Sequence, residues 1–447
     1  MKPALIILVA TAIREAFSFW TGHPFDFELW VRLGYYTYRG VDPYGVLPSV
    51  PGLSFANVFS SSSTATIGYF AFWPFVEAAM YALYNLIGAG DRFVYYFLLK
   101  QPAIVGDVLL AYMIYLLVNK DNPTRASWSM KVWAFMPLTI IISGIWGIFD
   151  SLAMAFVIAA VITPSYVRRS LGSGIGTLVK SVPMIYALPL TVTGMRRWWG
   201  LLVSVLLPSS VTVGAALYFH WSLVTVSSTL ASTATKGGQS MSLFDLVNYM
   251  NVLGILSDQA ARTLWPLGYI WIPAVLAATT LSVRAFGSED TGALLRSMLV
   301  ATLVFLIFKS QVNEQYAIYL LALSVADVAL LDPRRMRLLA ATALVATVYL
   351  LVNNLFLIRF LAPVFPQAVQ LDLALDLSYS LQRSTLAFLL GVGFTLLNIF
   401  YLYSLWKDAR ISTPGPGSRM GRPSENQTSA RPVDPIACLK VSPSTKA

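Results

Sequence analysis

Apolar residues run along this chain in long blocks, broken by short basic or polar stretches, with no strict alternation. A helix needs about 20 apolar residues to cross the ~30 Å hydrocarbon core of a bilayer, and backbone groups there must pair within their own segment. The blocks therefore read as helical spans, and the missing alternation excludes an outer-membrane barrel. The first block, 3–20, is near span length and lacks a small-residue cleavage site, so it reads as an uncleaved first span. Basic clusters between blocks mark the cytoplasmic side: Lys120, Arg125 and Lys131; Arg168 and Arg169; Arg196 and Arg197; Arg284 and Arg296; Arg334, Arg335 and Arg337; Lys407 and Arg410. Segments 21–69, 143–150, 221–262, 309–315 and 359–383 then fall outside.

Two blocks need special treatment to keep this parity. Block 70–87, interrupted by Pro74 and Glu77, reads as a juxtamembrane helix. Block 171–193 is too short for two spans and reads as a broken helical hairpin around 180–183. Residues 27–38 put Leu29, Leu33 and Tyr36 on one helical face beside Trp30, which suits a helix lying in the interface. The expected fold is an all-α polytopic membrane protein: a bundle of about 12 transmembrane helices in one domain, 1–411, with extracytoplasmic loops. Both termini are expected in the cytoplasm, and the Pro-, Ser- and Gly-rich tail, 412–447, is expected to be disordered.

Composition sharpens this reading. The chain of 447 residues is 57% hydrophobic and 12% charged, about half the charge of a soluble domain. The net charge of +10 sits in the topology clusters, which argues against a nucleic-acid partner. The single cysteine, Cys438, excludes an internal disulfide, and His23 and His220 lack metal-ligand spacing. No nucleotide-binding loop or Ser-His-Asp signature is present.

Charges in or beside spans are functional candidates by default. Asp26 and Glu28 follow the first block; such a pair can bind a divalent metal, and one carboxylate alone can act as a general base. The plain alternative is a solvated loop with an acidic helix start. Arg92 and Lys100 stand near the outer interface, where they can hold a phosphate or merely anchor and snorkel. Asp107 lies deeper on the same block and needs a partner, with Lys100 as the candidate. Trp146 and Asp150 bound a Gly-rich aromatic turn, in which Asp150 can also be a helix cap. Lys180 sits in the broken hairpin. Asn313, Glu314, Gln315 and Tyr316 form a polar stretch between apolar blocks, suited to sugar recognition or to a solvated connection.

The first loop carries Phe25-Asp26-Phe27-Glu28-Leu29-Trp30, then Tyr38-Arg39-Gly40-Val41-Asp42-Pro43-Tyr44, then Trp73-Pro74. This order resembles the first luminal loop of GT-C fold glycosyltransferases, nearest to the catalytic subunit of GPI mannosyltransferase I. Stretches 100–107, 146–150, 180–183 and 313–316 are similar to later motifs of related archaeal enzymes. The resemblance implies a GT-C-like bundle and an inverting transfer of a hexose, mannose favoured. The donor would be a dolichyl- or polyprenyl-phosphate sugar, and the acceptor a lipid-linked glycan or glycolipid on the extracytoplasmic side. On that reading Asp26 is the base supported by Glu28, and Arg92, Lys100 and Lys180 hold the donor phosphate. Asp150, Trp146, Asn313, Glu314, Gln315 and Tyr316 contact sugar or acceptor. The family's Asp-x-Asp is Asp-x-Glu here, so either no cofactor or a divalent ion, Mg or Mn, on Asp26 and Glu28 remains open. The competing reading is a transporter or lipid-linked sugar flippase, which also needs buried charges and broken helices.

Overall fold

The computed structural model describes residues 2–55, 67–191, 197–235, 240–287, 290–367 and 380–412. The expected disordered tail lies, beyond Ser412, outside the described residues, as does Cys438. Among the described residues all regular structure is helical.

The helices are α1 (Pro3–Ser18), α2 (Asp26–Tyr38), α3 (Phe72–Ile87), α4 (Arg92–Asp121), α5 (Pro123–Ala134) and α6 (Pro137–Ile140). A π-helical turn, Ile141–Trp146, then leads through Gly147 to α7 (Asp150–Ile162) and α8 (Tyr166–Val179). A 3-10 turn (Val182–Tyr186) precedes α9 (Ala187–Thr191), α10 (Arg197–Tyr218), α11 (Leu223–Thr235), α12 (Asp245–Val252) and α13 (Asp258–Leu264). The chain closes with α14 (Trp271–Phe286), α15 (Thr291–Phe308), α16 (Ala317–Leu330), α17 (Met336–Asn353) and α18 (Leu381–Ser412).

Local chemistry sets several boundaries. The Asp91 side chain accepts from the Phe93 amide and caps α4; Asp290 does the same for α15 through the Ala293 amide. Gly88, at φ +65°, ends α3 in the left-handed conformation that costs glycine least.

The span count differs from the sequence expectation of about twelve. Among the described residues six helical stretches are long and apolar enough to cross a membrane, starting at Arg92, Trp199, Asp258, Thr291, Pro333 and Leu381. A seventh results if α5 and the stretch from Pro137 to Trp146, bent by 53°, form one broken span. The expected first span is the 16-residue α1, about 24 Å long at 1.5 Å per residue, with Arg14 buried on it. Helix α3 is also only 16 residues long. α8 ends at Val179, and Lys180 is extended before the 3-10 turn, so the break expected around 180–183 is present. The expected interfacial helix is α2, but Phe27, Leu29, Trp30, Val31 and Leu33 are all buried on it. It is packed on α3 rather than spread on a surface.

α4 is the axis of the amino-terminal half, touching α1, α3, α5 and α7. α15 plays that part in the carboxy-terminal half, against α14, α16 and α18. α16 joins the halves through α4, α5 and α7, and it is buried from Ala317 to Ala329. Three connections meet at one end of this core: 19–26, 141–150 and 309–316.

Candidate functional site

Asp26 opens α2, and its carboxylate is 34% exposed, the access a reacting group needs. The Trp146 indole donates to its Oδ2 at 3.0 Å. Trp146 in turn stacks on His23, with ring centroids 4.7 Å apart. His23 Nδ1 accepts from the amides of Phe25 and Asp26. Burial pushes the His23 imidazole down to about 4, so it is neutral at physiological pH and acts as an acceptor that shapes the turn. Phe360 closes the back: it contacts both rings, and its carbonyl accepts from the Gly22 amide at 2.8 Å.

Asp150 and Lys180 form a buried ion pair. The break after α8 makes this possible, because an extended Lys180 turns its side chain out of the helical path. The Lys180 ammonium lies 5.4 Å from the Tyr69 and Phe149 ring centroids and 5.5 Å from that of Tyr316. Asp150 Oδ1 makes no hydrogen bond of regular geometry, but the Tyr319 hydroxyl interacts with this carboxylate; Gln315 Oε1 is buried without a hydrogen-bond partner among the described residues. A buried acceptor left unmade costs about 1–3 kcal/mol, so Gln315 Oε1 points to a ligand or ordered water that supplies a donor.

Glu314 belongs to the same region. Its Oε1 accepts from Asn353 at 2.6 Å and Asn354 at 3.4 Å. Burial is the main cause that raises it, to about 7, and the nearby Asp26 charge raises it further. Tyr69 and Tyr316 also feel the charges of Asp26 and Asp150. Asp26, Asp150, Glu314, Trp146, Lys180 and Tyr316 are therefore brought together. Asn313 is half-buried, and its carbonyl accepts from the Tyr316 amide, which starts the short 3-10 turn.

Other candidates lie elsewhere or are already committed. Glu28 is fully buried: Arg32 Nε donates to Oε1 at 2.7 Å and the Phe55 amide to Oε2 at 3.0 Å. Burial pushes this carboxyl up, while Ser54, Arg32 and the Phe55 amide pull it back. Residues two apart on a helix point about 200° apart, and Glu28 serves the loop, not Asp26. The two carboxylates do not fit a shared Mg or Mn site, and no cluster of three His, Cys, Asp or Glu occurs among the described residues.

Lys100 was expected to hold a phosphate or pair with Asp107. Instead its ammonium is buried and donates to Thr21 Oγ1 at 2.7 Å and to the carbonyls of Gly144 and Ile145 at 3.1 and 3.0 Å. Three acceptors use all three of its protons. Asp107 pairs with Arg14, a partner the reading of the first block as a plain span concealed. Arg92 is half-buried and reaches the Pro363 carbonyl at 3.4 Å. It is eight residues from Lys100, about 12 Å along the helix, so the two share no site.

An apolar cavity of about 540 Å³ lies beside the site, between the Val182–Tyr186 turn, α9, α10, α14 and α15. Its lining includes Ile185, Leu188, Val205, Val275 and Phe305, with Ser181, Thr279, Lys309 and Tyr316 as its polar members. Met184, Leu201, Ile272 and Leu276 also line it and are each more than a third exposed, so it opens on the apolar flank of the molecule. Lys309 is buried, with its ammonium 6.0 Å from the Trp271 ring centroid. Tyr316 faces both this cavity and Lys180. The arrangement can hold a polar group with several hydroxyls beside a carboxylate, and an apolar chain next to a cation. No protein-family model matches this chain, and no curated protein is significantly similar to it.

Proposed function

We propose that this chain is an integral membrane glycosyltransferase that moves a hexose from a polyprenyl-phosphate donor to a lipid-linked or glycolipid acceptor. One observation carries the reading. An accessible carboxylate, Asp26, shares a region with the buried Lys180–Asp150 pair and Glu314, and this region adjoins an apolar cavity with a cation at its polar side. Sugar hydroxyls are donors that such carboxyl groups match, and an isoprenoid chain suits the cavity.

In this mechanism Asp26 takes the proton of the acceptor hydroxyl as its oxygen attacks the anomeric carbon. The bond from that carbon to the phosphate oxygen breaks, and the phosphate leaves with the electron pair, inverting the centre. Lys309, rather than Lys100 or Lys180, is the cation disposed to meet the developing phosphate charge. Lys180 holds the Asp150 carboxylate in place beside the sugar. Trp146 fixes the Asp26 rotamer. Asp26 acts as the base without Glu28, whose carboxylate is engaged by Arg32 and the Phe55 amide.

The site would face the extracytoplasmic side, consistent with the basic clusters between the apolar blocks. A buried Lys180–Asp150 pair at a helix break is also what a transporter uses. Purified protein in detergent separates the readings: hexose transfer without a sealed compartment supports the enzyme, and uptake into vesicles without transfer supports the transporter.

A further inference from the structure

A second buried cluster lies behind the site. Arg14 of α1 is fully buried, and every nitrogen of its guanidinium donates. Nε reaches Asp107 Oδ2 at 2.8 Å and Ser143 Oγ at 3.0 Å; Nη1 reaches the carbonyls of Ala10 and Ala134; Nη2 reaches Thr139 Oγ1 at 3.2 Å. Asp107 also accepts from Ser151 Oγ at 2.6 Å and Trp133 Nε1 at 3.2 Å. This one ion pair ties α1, α4, α5, the π-helical turn and α7 together.

The tie converges on the turn that serves Asp26. Gly144 packs so closely on Arg14 that an added Cβ would lie 3.0 Å from the Arg14 Cα. The Gly144 and Ile145 carbonyls hold Lys100, and the next side chain, Trp146, holds Asp26. A π-helical turn is a rare, less stable element that is frequent at functional sites. A buried ion pair is often no more stabilising than a well-packed apolar pair, and its best-attested use is to fix a register.

We propose that Arg14 and Asp107 are positioning residues: they set the register of the Ile141–Trp146 turn and, through Trp146, the orientation of Asp26. The catalytic part of this inference rests on the proposed transfer; the geometric part does not. The test compares the wild type with Arg14→Met/Asp107→Leu, which replaces both charges by apolar groups of similar size. A second variant, Gly144→Ala, keeps the ion pair and presses the turn away from α1.

Two readouts are made on protein that elutes as a single species in detergent. The first is hexose transfer from a short-chain polyprenyl-phosphate hexose. The turnover number should fall at least tenfold while KM changes less than about threefold, since displacements near 1 Å cost up to about a hundredfold in rate. The second is the labelling rate of Asp26→Cys in a Cys438→Ser background by a charged methanethiosulfonate, with and without each change. It should change several-fold. Wild-type turnover and unchanged labelling in either folded variant overturn the proposal. If the wild type transfers no hexose, the proposed reaction fails, while labelling still decides the positioning role on its own.

Discussion

Asp26 and Glu28 stand two residues apart, and the structure assigns them opposite fates under substitution. Glu28→Ala removes the partner of Arg32, which is 2% exposed, and strands the Phe55 amide. Breaking a buried pair from one side costs about 3–5 kcal/mol, and an orphaned buried amide about 1–3 kcal/mol. The two losses share a site and do not add in full, so about 4 kcal/mol is expected. Glu28→Gln keeps an acceptor but loses the charge assistance, at about 1–2 kcal/mol. Asp26→Asn retains an acceptor for Trp146 on a partly exposed side chain, so its stability should stay within about 0.5 kcal/mol of wild type. Its rate should fall by about 10²–10⁴, the usual worth of a general base. Thermal unfolding in detergent, read beside hexose transfer, separates the two: Glu28→Ala should unfold earlier, and Asp26→Asn should unfold normally but be inactive. A Glu28→Gln protein of wild-type stability with no activity would refute the structural assignment of Glu28.

Other outcomes follow from the same geometry. The folded value of Glu314 is about 7 against an ordinary 4.5. Below about pH 4.5 both states hold the proton; between there and pH 7 only the folded state does, so stability falls by about 3 kcal/mol as pH rises through that window. Glu314→Gln should flatten this slope in pH-dependent unfolding. Lys180→Met alone leaves Asp150 buried and unpaired and should destabilise by about 3–5 kcal/mol, whereas Lys180→Met/Asp150→Leu should recover most of it while transfer stays lost. Unimpaired transfer by that double variant would remove both residues from the site. Lys309→Met should raise KM for the lipid donor or lower turnover at least tenfold, measured against donor concentration; wild-type kinetics would exclude it as the phosphate contact.

What the sequence revealed was the helical class and the polar stretches between apolar blocks. Asp26, Asp150, Lys180 and Glu314 were visible there because charge in an apolar chain is conspicuous, and Trp146 because it lies in a Gly-rich aromatic turn. Their pairing was not. Asp150 and Lys180 are 30 residues apart, and nothing local couples them. Arg14 was hidden because two adjacent charges, Arg14 and Glu15, do not stop an apolar block reading as a span, and its partner Asp107 is 93 residues away. The count of about twelve spans is not confirmed among the described residues, because hydropathy does not separate helices buried within a protein from helices facing lipid; α7 and α16 are apolar and mostly buried. Asn353 and Asn354, which hold Glu314, end a long apolar helix and carried no signal of their own.

Asp26 is proposed as the base of lipid-dependent hexose transfer. Purified wild type and Asp26→Asn, given a short-chain dolichyl-phosphate mannose and then glucose with a panel of glycolipid acceptors, test it most directly. Transfer by the wild type should persist in chelator and fall at least a hundredfold in Asp26→Asn. Equal transfer by both proteins, or no turnover and no binding of any lipid-linked sugar, would contradict that role.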